Sequence, residues 1–170
     1  SHAGRSREFP SKRAGSPRGQ IELMPIKITG PPENVRGSRV DSSLLRRRAK
    51  GMIACLGHAR SELSIALVDD QEIRALNQAW RQKNRATDVL SFSLIEGADA
   101  ERRGGLMGDV VISVERAAAQ AKERHRGLNE EVAKLVIHGL LHIVGFDHED
   151  DEEARSMRRE ERRLWREACE

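Results

Sequence analysis

Apolar and polar positions repeat with two different periods along this chain, and each change of period marks a new element. Short β-rich runs bounded by glycine, proline or charged residues predict strands at 21–29, 62–68, 89–94 and 109–114. Helical spacing of apolar residues predicts helices at 40–56, through 73–80 and 117–121, from 129 onward, and through 154–168. The order βαβαββααα predicts an α+β protein, a mixed α/β sandwich with one small mixed sheet covered by helices.

Polar residues and glycines at the edges of these runs predict where the helices begin and end. The side chains of Asp70, Ser113 and Asn129 can accept hydrogen bonds from the first free backbone N–H groups of the helices beside them. Gly57 and Gly145 can adopt the left-handed conformation that ends a helix. The helix from 129 is apolar almost all round, which is typical of a helix buried in the centre of a domain.

Length and composition agree with one folded domain. Of the 170 residues, 38% are hydrophobic and 34% are charged, so a core is available and long solvated helix faces are expected. Aromatic residues amount to 3%, too few for the base-stacking sheets of RNA-recognition domains. No apolar stretch approaches the ~20 residues that cross a bilayer, and the two cysteines form no CxxC pair. We therefore expect a cytoplasmic protein without a membrane partner.

The formal net charge of +3 is unevenly placed along the chain. Residues 1–23 are rich in Ser, Gly, Pro and Arg and lack the apolar centre of a signal peptide, so we expect a disordered tail there, either vector-derived or an upstream extension. Residues 24–170 are expected to form the single domain, with Met24 as a candidate natural start. The arginine-rich stretch at 36–60, which includes Arg46, Arg47 and Arg48, is either a polyanion-binding face or an ordinary solvated helix face.

The segment HGLLHIVGFDH at 138–148 contains three of the six histidines. His138 and His142 lie four residues apart on a predicted helix, so both imidazoles leave the same face. Gly145 can turn the chain and bring His148 back toward them. Three neutral imidazoles suit zinc or nickel and leave a fourth position for water, as in catalytic sites. The segment therefore predicts one Zn²⁺ per chain, or Ni²⁺ in its place, rather than three ordinary histidines.

The spacing HxxxHxxGxxH is shared with the metzincin peptidases, in which a glutamate follows the first histidine and acts as general base. Gly139 stands at that position here, so a metzincin-like zinc peptidase is a weakened but open alternative. Asp147 can either orient an imidazole or cap a turn, and both roles stay open.

Three blocks of the chain resemble the YbeY family of single-domain, metal-dependent endoribonucleases that act in ribosomal RNA maturation. The blocks are LNQAWRQKNRATDVLSFSL at 76–94, GDVVIS at 108–113 and HGLLHIVGFDH at 138–148. Three residues depart from the usual family residue, and none of these changes removes a charged or metal-binding group: Trp80, Ala86 and Phe146. The resemblance implies metal ligands at His138, His142 and His148 and a functionally required arginine at Arg81. We also expect the GDVVIS strand to line the edge of the cleft.

The resemblance implies a single-strand-specific endoribonuclease that processes the 3′ end of small-subunit 16S ribosomal RNA and acts in ribosome quality control. A metal-activated water would attack the phosphodiester while Arg81 contacts the phosphate. From chemistry alone, Lys83 and Arg85 suit that contact as well. The implied partners are ribosomal RNA and the small ribosomal subunit, with a small-subunit ribosomal protein and the Era GTPase as further candidates. A non-enzymatic ribosome-assembly factor with a structural zinc is a third hypothesis, because no general base can be named.

Overall fold

The computed structural model describes residues 25–33, 35, 39–95 and 105–170, so the predicted tail at 1–23 lies outside the described residues. Within these ranges the predicted order of four strands and five helices is confirmed. The elements are β1 Ile26–Thr29, α1 Ser42–Cys55, β2 Ser61–Val68, α2 Asp70–Arg81, β3 Val89–Ser93, β4 Gly105–Ser113, α3 Val114–Glu123, α4 Leu128–Ile143 and α5 Asp151–Ala168. No helix in the described part of the chain is long and apolar enough to span a bilayer.

The four strands form one mixed sheet in the order β1-β2-β4-β3. Strands β1, β2 and β4 are parallel, and β3 runs antiparallel to β4 at the edge of the sheet. Val110 of β4 is paired with Ile65 on one side and with Ser91 on the other. This mixed sheet with helices on both faces confirms the predicted α+β class.

Helix α4 lies at the centre of the main core, as its apolar sequence predicts. It packs against α1, α3, α5 and the strands β3 and β4, and ten of its sixteen residues are buried. Helix α2 covers the opposite face of the sheet, where Ile73 packs with Val68, Leu90 and Val111 in a second, smaller cluster. The two histidines of α4 are therefore carried by an element that is held from several sides.

Two glycines allow α4 to lie directly on the sheet. A Cβ atom at Gly139 would lie 3.0 and 3.2 Å from the two methyl carbons of Val110. A Cβ atom at Gly108 of β4 would meet the backbone oxygen of Phe92 and lie 2.9 Å from Cδ1 of Ile143. Side chains at these positions would push the helix away from β3 and β4.

Two predicted helix starts are wrong, because tertiary hydrogen bonds decide between neighbouring polar residues. The cap of α2 is Asp69, whose Oδ1 accepts from Glu72 N at 2.8 Å, whereas Asp70 accepts from the hydroxyl of Ser113 at 2.6 Å. Helix α4 begins after Gly127 without a side-chain cap, and Asn129 instead accepts from the backbone N–H of Asp41 at 2.8 Å. The predicted cap at Ser113 is confirmed.

Candidate metal centre and its groove

The structure brings the three predicted histidines together at the C-terminal end of α4. The ring centroids of His138 and His142 lie 4.7 Å apart, those of His142 and His148 lie 5.3 Å apart, and those of His138 and His148 lie 6.0 Å apart. The Nε2 atoms of His138 and His142 are separated by 3.2 Å. His148 is exposed, whereas the two helical histidines are half-buried.

The turn after α4 explains how His148 returns to the helix. Gly145 has a φ of +102°, its N–H donates to the carbonyl of His142 at 3.1 Å, and the N–H of Phe146 donates to the carbonyl of Leu141 at 2.9 Å. This pair of bonds is a Schellman motif, which ends a helix and reverses the chain. The predicted role of Gly145 is therefore confirmed.

A carboxylate that the sequence analysis missed contacts the cluster from α5. Oε1 of Glu161 lies 2.9 Å from Nδ1 of His138. If Nδ1 carries the proton and donates to this carboxylate, the lone pair of Nε2 is left facing His142. No sequence signal identifies Glu161, because it is one of several acids on a charged helix and reaches His138 only through the packing of α5 on α4.

Of the two roles that the sequence left open for Asp147, the structure shows the turn contact, whereas Nδ1 of His148 lies 3.8 Å from Oδ1 of Asp147, too far for a hydrogen bond that would orient the ring. Its Oδ1 accepts from the backbone N–H of His148 at 2.7 Å, a turn contact. Its carboxylate also lies among the imidazoles: one ligand atom each of His142, Asp147 and His148 lie within 4.8 Å of one another. The site thus offers a possible metal-ligand group of nitrogen and oxygen donors.

The surroundings of His142 favour its neutral imidazole form. Burial lowers the pKa of His142, and the neighbouring His138 and His148 lower it further by charge repulsion. His142 therefore keeps the form that binds metal ions to a lower pH than an exposed histidine does.

An open groove of about 720 Å³, called here the histidine groove, lies in front of the cluster. It is lined by the three histidines and by the three candidate phosphate-binding cations Arg81, Lys83 and Arg85. The expectation that the GDVVIS strand lines the cleft is wrong, because β4 is an interior strand and the edge strand β3 supplies that wall.

Arg81 is the most firmly placed of the three cations. It lies at the C-terminal end of α2, its Nη2 donates to the carbonyl of Ser91 at 2.9 Å, and its guanidinium carbon lies 5.9 Å from the ring centroid of Phe92. These contacts with β3 hold the guanidinium at the rim of the groove while most of its five N–H donors stay available. Asp88 accepts from the backbone N–H of Val89 at 2.8 Å, which fixes the entry into β3.

The arginine cluster on α1 does not form one free basic face. Arg46 Nε donates to the carbonyl of Ile26 at 3.4 Å. Arg48 donates to the carbonyl of Asn129 at 3.5 Å and lies over Trp165, 5.3 Å from the ring centroid. Only Arg47 of the three is exposed, so most of this cluster serves the packing of α1.

Gly139 is buried against the sheet, where a Cβ atom would also lie 3.5 Å from Cγ2 of Val89. A glutamate side chain at this position has no room without moving α4. The position that holds the general base of metzincin peptidases is therefore closed in this fold.

Comparisons with known proteins agree with the geometry. A family model described as Endoribonuclease YbeY matches residues 38–168. A protein named Endoribonuclease YbeY from an Anaeromyxobacter species is 48% identical over 134 residues, covering 79% of this chain and 68% of the relative. The protein of the same name from Aquifex aeolicus is 41% identical over 124 residues, covering 72% of this chain and 79% of the relative. The solution structure of TM1509 from Thermotoga maritima superposes with a TM-score of 0.54 at 26% identity, covering 84% of this chain and 90% of that one.

Proposed function

The chain belongs to the Endoribonuclease YbeY family, and from this premise we propose that it is a metal-dependent endoribonuclease acting on single-stranded ribosomal RNA. The observation that carries the proposal is the histidine cluster, which faces an open groove beside Arg81, Lys83 and Arg85. Imidazole nitrogens can hold a metal ion, and the three cations can hold the phosphates of a nucleic acid strand.

His138 and His142 fit two ligands of one zinc or nickel ion, and we propose His148 as the third ligand. Two imidazole nitrogens at ~2.0–2.1 Å from one tetrahedral ion lie about 3.3 Å apart, and the Nε2 atoms of His138 and His142 are 3.2 Å apart. Glu161 supports the orientation of His138 that this ligation requires. When bound, such an ion supplies the Lewis acidity that activates water for attack on a phosphodiester.

We propose that Arg81 binds the scissile phosphate. Its guanidinium is held at the rim of the groove by the carbonyl of Ser91, so the side chain loses little further freedom when a phosphate binds. The remaining N–H donors can contact two phosphate oxygens at once and stabilise the charge that develops on them. Lys83 and Arg85 line the same groove and are suited to the neighbouring phosphates.

The proposed substrate, partners and location are those that membership of the family implies. The substrate is the precursor of small-subunit ribosomal RNA, cut at its 3′ end, and the same activity removes defective ribosomes in quality control. The small ribosomal subunit, a small-subunit ribosomal protein and the Era GTPase are the proposed partners, and the cytoplasm is the proposed location.

The test compares zinc-loaded protein with matched variants on single-stranded RNA and on denatured protein. His142→Ala is expected to lose both metal and RNA cleavage. Arg81→Lys is expected to keep the metal and the unfolding midpoint but to lose most of the cleavage, because a point charge cannot replace a bidentate contact. Arg74→Lys on the same helix is the control, since Arg74 is exposed and does not line the histidine groove.

Three results would contradict the proposal. RNA cleavage by the metal-free wild type would remove the metal from the mechanism. Full activity of Arg81→Lys and of Arg81→Glu would move the phosphate contact to Lys83 or Arg85. Hydrolysis of denatured protein that is lost in His142→Ala, without any RNA cleavage, would support the peptidase alternative instead.

A further inference from the structure

A second groove, of about 610 Å³, adjoins the histidine groove. The two grooves share His138 and Asp88 as lining residues, so they meet at the histidine cluster. The second groove continues from there along α4 and α5 to Lys134, Arg162 and Arg166. We call it the basic groove.

The positive charges of the basic groove are available to a ligand. Among the described residues, no carboxylate lies within 4.0 Å of the charged groups of Lys134, Arg162 or Arg166. Both arginines are exposed. The ammonium group of Lys134 lies over Trp165, 4.4 Å from its ring centroid, which holds this charge beside the groove.

The carboxylates that line the basic groove are mostly engaged within the protein. Glu131 is fully buried and accepts from Arg124 at 2.7 Å and from Arg126 at 3.2 Å, so two cations there face one acid. Asp88 accepts from the side-chain amide of Gln120 at 3.1 Å, and Glu161 contacts His138. Glu170 also lines the groove and is exposed, so the three cations Lys134, Arg162 and Arg166 outnumber the one exposed carboxylate side chain there.

We propose that the basic groove binds the RNA strand on the far side of the cleavage site, through its backbone phosphates. This inference rests on the proposed function, because a strand cut at the histidine cluster must continue in both directions from it. Arg81, Lys83 and Arg85 hold the strand in the histidine groove, and Lys134, Arg162 and Arg166 hold the other part. Since the ring of Trp165 already faces Arg48 and Lys134, binding here is electrostatic and independent of base sequence.

The test is the binding of fluorescein-labelled single-stranded oligouridylates of about 5 and about 15 nucleotides, lengths that bracket a typical binding site. Fluorescence anisotropy is measured at several salt concentrations on the full chain after chelation, so that the probe is not cut. The variant Lys134→Gln/Arg162→Gln/Arg166→Gln is compared with the control Lys27→Gln/Lys50→Gln/Arg60→Gln. The control removes the same charge at exposed residues that line neither groove.

For the long probe, the groove variant is expected to bind at least about tenfold more weakly than wild type at ~0.1 M salt. Its plot of log K against log salt concentration should be shallower by about 2, since each lost phosphate contact removes ~0.7 from the slope for single strands. The short probe should bind wild type and variant within about twofold, because the histidine groove still holds it. The control should match wild type with both probes.

Arg162→Gln/Arg166→Gln serves as a second variant, because it preserves the contact of Lys134 with Trp165 and changes only exposed side chains. It should lower the slope by about 1.4. Wild-type affinity and slope in both groove variants would overturn the inference, and so would a failure of wild type to bind the long probe. If wild type cleaves RNA while the groove variants bind it normally, the inference about the basic groove is wrong and the proposed endoribonuclease function is retained. If wild type binds the long probe through the basic groove but never cleaves RNA when loaded with zinc, the proposed endoribonuclease function is wrong and the inference about the basic groove is retained.

Discussion

Replacing Gly139 with alanine should measure how closely the histidine-bearing helix is packed on the sheet. The new Cβ would lie 3.0 and 3.2 Å from Cγ1 and Cγ2 of Val110 and 3.5 Å from Cγ2 of Val89. Overpacking of this kind costs ~1–3 kcal/mol, whereas alanine favours a helix over glycine by ~1 kcal/mol. The two effects oppose each other, so we expect Gly139→Ala to lower the free energy of unfolding by about 0–2 kcal/mol.

A double mutant separates the two effects. Val110→Ala removes both methyl groups that the new Cβ would meet and by itself should cost about 2 kcal/mol. In that background Gly139→Ala should stabilise the protein by up to about 1 kcal/mol, because only the helix preference is left. The expected coupling energy is therefore about 1–3 kcal/mol, measured by urea denaturation with unchanged m-values.

Gly51→Ala is the matched control, since Gly51 also lies inside a helix. Its Cβ would meet the methyl group of Ala168 at 3.3 Å, near the end of α5, so the helix preference should dominate and the protein should be as stable as wild type or more so. Additive effects of Gly139→Ala and Val110→Ala, or a stabilising Gly139→Ala in the wild-type background, would refute the argument. Zinc stoichiometry should not change in Gly139→Ala, because His138 and His142 move together with α4.

Three further predictions concern the pH dependence of stability, the buried ion pairs of Glu131 and the contacts of Arg48. The pKa of His142 is lowered from 6.5 in the folded state, so the unfolded chain binds more protons in mildly acidic solution. The free energy of unfolding of the metal-free protein should therefore fall as the pH drops below about 6.5. Urea denaturation between about pH 5 and 8 should show a smaller fall in His142→Gln. Glu131→Gln should cost about 2–4 kcal/mol, because two arginines lose a buried partner but are themselves partly hydrated, whereas the surface change Glu167→Gln should cost less than about 1 kcal/mol. Arg48→Gln should lower the unfolding midpoint through its lost contacts with Asn129 and Trp165, whereas Arg47→Gln, at an exposed position, should not.

The order of elements and the gathering of the three histidines could be predicted because both depend on local periodicity. His138 and His142 are four residues apart on one helix face, and the Schellman turn at Gly145 is a property of residues 141–146. Such signals are contained within a few residues of sequence. They need no knowledge of what packs against the segment.

Two of the helix starts and the reach of β4 could not be predicted, because partners distant in sequence decide them. Asp70 is excluded as a cap by the hydroxyl of Ser113, and Asn129 by the backbone of Asp41. The predicted strand begins only at residue 109, yet Gly105 already pairs with Ser61 and joins β4 to β2. The contact of Glu161 with His138 could not be predicted for the same reason, since the two residues are 23 positions apart in sequence.

Gly139, which directly follows the first helical histidine, shows why a shared spacing does not settle the chemistry. In HxxxHxxGxxH, the position after the first histidine can hold a general base only if its side chain reaches open space beside the metal. Here α4 rests on β3 and β4 at Gly139, so that direction is filled by Val110 and Val89. The open side of the histidines is lined by Arg81, Lys83 and Arg85 as well as by Asp147 and Glu149, and the three cations suit the phosphate groups of an RNA strand. The packing of Gly139 thus closes the position of the peptidase general base, which is one argument for the proposed phosphodiester chemistry.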